Sequence, residues 1–114
     1  QELPSKRRAE SSERIRGRVE QSRQRQLARL QPFGRFCNAQ MNHTILQRVC
    51  PLTEEAQSIL ELAFRRMNLS ARSYDRIIKV ARTIADLDGA PEEIAAKHIA
   101  EAVQLRSDIG LSVE

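Results

Sequence analysis

The 114-residue sequence predicts an all-α fold, a bundle of four to five helices, and three observations carry that expectation. Aromatic residues make up 4% and Trp is absent, so the core must be built from Leu, Ile, Val and Ala, which suits packed helices better than a β-sandwich. Apolar residues recur at three- and four-residue spacing in several segments, and residues that start or stop helices separate those segments. Nothing reads as a strand, no internal repeat has a fixed period, and the length suits one domain.

Residues 1–10 are polar and include Pro4, and are expected to be disordered ahead of a helical domain at 11–107 and a tail at 108–114. The first helix is expected over 12–30, starting near Ser12 with Glu13 in its first turn, where the helix dipole favours an acid. Its apolar stripe of Ile15, Val19, Leu27 and Leu30 is thin, and Gly17 interrupts it at about 1 kcal/mol relative to Ala. Gln31-Pro32-Phe33-Gly34 ends it, and a bundle over 38–106 follows. A short helix from Ala39 to Val49 presents Met41, Ile45, Leu46 and Val49, and Pro51 stops it. Thr53 caps a third helix, with Glu54 and Glu55 at its positive end and Ile59, Leu60, Ala63, Phe64 and Met67 at helical spacing. Ser70 caps the fourth, where Tyr74, Ile77, Ile78, Ala81, Ile84 and Ala85 fall within an arc of about 120°. Gly89 suits the position just past its end, and Pro91 suits the first position of a fifth helix whose inner face is Ile94, His98, Ile99, Ala102 and Leu105.

The net charge of +4 is unevenly placed: residues 1–30 carry nine Lys/Arg against four Asp/Glu, so the basic character belongs to the first helix. No apolar run approaches the roughly 18 residues of a membrane span, and the N-terminus lacks the apolar core of a signal peptide. A cytoplasmic chain with no membrane partner is expected. The missing initiator Met suggests a piece of a longer protein, whether the remainder was removed or this is a natural remnant. Cys37 and Cys50 match no metal-binding spacing and read as reduced thiols, small hydrophobes rather than ligands. His98 lies on an apolar helical face and reads as a core histidine, and His43 has no partner nearby in sequence. No metal site is expected.

Machinery for catalysis is not legible. No G-x-x-x-x-G-K-[ST] loop cradles phosphates, no apolar run ends in a magnesium-binding Asp, and no Ser, Cys or His sits in a nucleophile signature. The chain is therefore not expected to be an enzyme by itself, and no catalytic residue is assigned. The strongest positive pattern is the polar side of the fourth helix, where Arg72, Arg76 and Lys79 lie within about 60° of each other, opposite the apolar arc. Arg72 falls in the first turn, where backbone N–H groups also favour anions, and a guanidinium can grip a phosphate with two hydrogen bonds. The competing reading is a solvated face with Asp75 and Lys79 as an i,i+4 pair.

The segment Leu69–Leu87, LSARSYDRIIKVARTIADL, resembles the C-terminal domain of magnesium-chelatase-like AAA+ ATPases of the ComM/YifB type. Glu10–Arg29 (ESSERIRGRVEQSRQRQLAR), Cys37–Met41 (CNAQM), Cys50–Gln57 (CPLTEEAQ) and His98–Arg106 (HIAEAVQLR) follow in the family's order, covering about residues 10 to 107. The closing Tyr-Arg-x-x-Asp-Arg of the family is replaced here by Leu105–Gly110, so the resemblance assigns that tail no role. The resemblance implies the helical lid that follows an α/β ATP-binding core. It gives Arg72 the role of sensor 2, the arginine that reaches the nucleotide phosphates, and makes Arg76 a candidate phosphate contact. Arg82 also matches a family position, but it borders the apolar arc and suits a contact with a carboxylate or carbonyl. ATP and magnesium would belong to the full-length parent, with neither bound by this chain alone. The partners implied are the chain's own AAA+ core and neighbouring subunits of a ring, and the parent would process branched DNA in natural competence and recombination.

The first helix carries the second pattern. Arg14, Arg18, Arg25 and Arg29 lie within about 60° on the helical wheel, a stripe that could dock on the ATPase core or a neighbouring subunit, or follow a phosphate backbone. No aromatic is interleaved, so base stacking is not indicated. The rival function is a stand-alone helical nucleic-acid-binding module using that stripe; a plain solvated face remains the third reading.

Overall fold

The computed structural model describes the backbone of residues 4–108 and the side chains of residues 12–106. Five α-helices follow in order: α1 Pro4–Leu30, α2 His43–Val49, α3 Glu54–Arg66, α4 Ala71–Leu87 and α5 Ala96–Asp108. Single 3₁₀ turns at Gln31–Phe33 and Asn38–Gln40 lie between α1 and α2. Among the described residues the one β-type feature is an isolated parallel bridge between Leu52 and Ile94.

Local signals place α3 and α4 where their caps predict. Thr53 accepts the Ala56 N–H at 3.1 Å, and Ser70 accepts the Ser73 N–H at 3.0 Å. The end of α4 is closed at Gly89, whose φ of +79° takes the left-handed turn, while the Ala90 N–H bonds back to the Ala85 carbonyl at 2.8 Å. One helix buries the molecule's centre: Ile77, Ile78 and Ala81 of α4 pack with Leu60 of α3 and with Ile94, Ile99 and Ala102 around α5. Met41, Ile45, Leu46 and Cys50 close the core from the α2 side.

Three boundaries and two faces differ from expectation. Helix α1 begins at Pro4 rather than near Ser12, so residues 4–10, expected to be disordered, are helical; proline suits a first helical position because its missing N–H has no intrahelical partner there. Residues 1–3 and the tail beyond 108 lie outside the described residues. The helix expected over 39–49 splits, because Asn42 caps a fresh start by accepting the Ile45 N–H at 2.8 Å. Pro91 does not open α5. Ile94 is drawn into the 51–53 loop, its N–H donating to the Pro51 carbonyl at 2.8 Å and its own carbonyl accepting the Thr53 N–H at 3.0 Å, so the helix starts only at Ala96. Finally, α1 docks through Ser22, Gln26 and Leu30, which are buried, while Ile15 and Leu27 of the expected apolar stripe stay 50% and 42% exposed. Leu105 of α5 is likewise exposed rather than internal.

Candidate functional site: a basic groove beside the start of α4

Ser70 fixes the first turn of α4 and, with it, the two positions that follow. Arg72 is exposed in that turn, and Arg76, one turn later, is exposed on the same side; Lys79 is half-buried. All three border an open groove of about 530 Å³ between α4 and the 39–43 segment, with Ala39, Met41, Asn42 and His43 on the opposite wall. Asp75, offered by sequence as a partner for Lys79, is seated against His43: the two carboxylate oxygens lie 2.9 and 3.1 Å from Nδ1. No local pattern marks this pair, whose members are 32 positions apart. Three cations at one wall suit an anion carrying several charges, and what the groove offers is electrostatic rather than nucleophilic.

The second predicted cluster, the α1 stripe, is divided by the fold. Arg14 and Arg18 are exposed, and Arg18 borders a shallow groove with Lys97 and Glu101. Arg25 and Arg29 turn inward. Arg29 grips both carboxylate oxygens of Asp86 at 2.6 and 2.9 Å and also reaches Asn38 Oδ1 at 3.1 Å. Arg25 donates to the Asp86 carbonyl at 2.8 Å. Arg25 and Arg29 are thus half-buried and held on Asp86, whereas Arg14 and Arg18 face solvent. The cause is Asp86, a fully buried carboxylate that must be paired.

Arg82 completes that cluster and is 2% exposed. Its Nε lies 3.3 Å from Asp86 Oδ1, and its terminal nitrogens donate to the Pro91 and Glu92 carbonyls at 2.7 and 3.0 Å. Burial pulls the guanidinium below its ordinary value, against the pull of Asp86 in the other direction. The structural role expected for Arg82 is therefore what it has. Asn38 joins the cluster through Asp86 Oδ2 at 3.0 Å and Thr83 Oγ1 at 3.0 Å. Asp86 and Asn38 were not singled out by sequence; only the i,i+4 spacing of Arg82 and Asp86 hinted at the first.

Cys50 and His98 have packing and structural roles. Cys50 is buried with Sγ 3.7 Å from Met41 Sδ, and desolvation pushes its thiol up to about 11, so it stays protonated. His98 is 2% exposed: Nδ1 accepts the Ala95 N–H at 3.0 Å, leaving Nε2 to donate to Asp88 at 3.0 Å. It thereby serves the start of α5, which has no capping side chain at Ala95. Among the described residues no three His, Cys, Asp or Glu side chains could hold a metal, and no helix is long and apolar enough to cross a membrane.

Comparison with known proteins matches the family model for the C-terminal domain of magnesium chelatase subunit ChlI to residues 9–106. Competence protein ComM of Haemophilus influenzae is 38% identical over 104 residues, covering 91% of this chain and 19% of that protein. The uncharacterized protein YifB of Escherichia coli is 36% identical over 98 residues, covering 86% and 18%. A Mycobacterium tuberculosis relative is 35% identical over 80 residues, covering 70% and 16%. The chain thus spans less than a fifth of the length of these relatives. No solved structure matches it.

Proposed function

The chain belongs to the magnesium chelatase ChlI C-terminal family, as a C-terminal domain of the ComM/YifB type, and on that premise we propose that it is the helical lid of an AAA+ ATPase, presenting Arg72 as a sensor 2 arginine to ATP held by a separate core domain. The observation that carries this is the placement of Arg72: exposed, in the capped first turn of α4, on a groove shared with Arg76 and Lys79. A guanidinium there would stabilise the charge that develops on the transferring phosphoryl group and report ATP occupancy as lid movement. Magnesium and the α- and β-phosphates fall to the core, since the 114 residues contain no phosphate-binding loop. The lid's partners are that core and the neighbouring subunits of a ring, in the cytoplasm. By family resemblance, and consistent with the name of the Haemophilus relative, the parent ATPase would act on branched DNA during recombination.

The nucleic-acid module is the weaker reading. Two of its four arginines are held by Asp86, which leaves Arg14 and Arg18 from the stripe for a phosphate backbone. The test joins this domain to a magnesium-chelatase-like ATP-binding core and measures ATP turnover. Arg72→Ala is expected to cut turnover by about tenfold or more while the domain's melting temperature holds. Turnover equal to that of the unaltered protein would remove the assignment.

A further inference from the structure

The wall of the groove facing Arg72 is not inert. His43 lines it with its side chain 60% exposed, and Asp75 holds its Nδ1 from the α4 side. With Nδ1 donating to that carboxylate, the neutral ring presents Nε2 as an acceptor, which an anion would avoid. The protonated ring presents Nε2–H as a donor and adds a positive charge. We propose that the His43–Asp75 pair makes phosphate binding in this groove proton-linked, with His43 as an anion-binding group on the wall opposite Arg72. This rests on the reading of the groove as a phosphate site and adds to it a second wall and a dependence on pH.

The groups that face His43 set the sign. From α4 they are Arg72, Asp75, Arg76 and Lys79; Asn42 and Met41 beside it do not titrate. Of these side-chain types the imidazole is the one that gains or loses a proton near neutral pH, so the linkage is placed on His43. An anion that prefers the protonated ring must, by reciprocity, make the ring harder to deprotonate.

The test uses the 114-residue chain at low salt, with inorganic triphosphate raised into the range of about 1 mM and above, where the weak binding of a lid without its core is read by NMR at about pH 5.5 and about pH 8. Since triphosphate itself titrates there, the quantity read is the affinity ratio of wild type to His43→Gln at each pH. That ratio is expected to be several-fold at the lower pH and near one at the higher, with the His43 titration midpoint rising on addition of triphosphate. A ratio of one at both values, or an unmoved midpoint, overturns the proposal. If Arg72→Ala still abolishes binding in that case, the arginine reading survives without this addition. If no triphosphate binds at either pH, the proton linkage is gone, while the role of Arg72 stays with the turnover measurement on the core-joined protein.

Discussion

Asp86 is the residue on which most of the interior charge depends. Its carboxylate has no exposure and faces Arg82 at 2% and Arg29 at 17%. The price of burying one such ion is several kcal/mol, so removing the single anion leaves two guanidiniums facing each other without compensation. Asp86→Ala is expected to lower unfolding free energy by about 3–5 kcal/mol, measured by urea denaturation. The double change Arg82→Met with Asp86→Leu should cost less than Asp86→Ala alone, because it removes charge together with its partner and fills the volume with carbon. If the double variant is the less stable of the two, the cluster works through the carbonyl contacts of Arg82 rather than through charge.

At the scale of elements, the glycines of α1 and of the α4 terminus have opposite requirements. Gly17 lies inside α1, and a Cβ built there meets nothing within 4 Å. Gly17→Ala should therefore raise stability by about 0.5–1 kcal/mol through helix propensity alone, visible as a higher melting temperature and more helical signal. Gly89→Ala has space as well, but its φ of +79° disfavours any L side chain, and it should cost about 1–2 kcal/mol. The same contrast explains which elements were legible. The starts of α3 and α4 depend on Thr53 and Ser70, caps that act within three residues, and both were readable. The start of α5 depends on Ile94 pairing with the 51–53 loop and on Arg82 holding the carbonyls of 91 and 92, contacts across 9 to 43 positions that spacing cannot reveal. The face of α1 was legible only in part for a related reason. Its inward side is largely polar because Asp86 and Asn38 receive it, so of the apolar stripe Leu30 is buried while Ile15 and Leu27 stay exposed. In the groove, the helical wheel put Arg72, Arg76 and Lys79 together correctly, whereas His43 arrives from another helix and had no local signature.

For the molecule as a whole, the charged cluster ties α1, the 38–40 turn, α4 and the 91–92 loop together, so motion of this domain against a partner would be that of a rigid body rather than of separate helices. The α4–α5 end is fastened differently, through Asp88 at the C-cap of α4, which accepts from His98 Nε2 at 3.0 Å and pairs with Lys97 Nζ at 3.0 Å. Hydrogen bonding from His98, then from Lys97, holds the Asp88 carboxyl below the ordinary carboxylate range. A depressed folded value means that the unfolded chain takes up this proton first as pH falls. The contribution is therefore fully present at neutral pH and is lost as pH drops from the ordinary carboxylate value through the lower folded one. Asp88→Asn, which keeps an acceptor for His98 but not the charge, should lower the melting temperature slightly at pH 7 and flatten its decline on acidification below about pH 4. Because the carboxylate is half exposed, added salt should shrink the neutral-pH difference between the two proteins. An Asp88→Asn protein whose melting temperature falls with acid as steeply as the parent's would show that another carboxylate controls the acid limit of the fold.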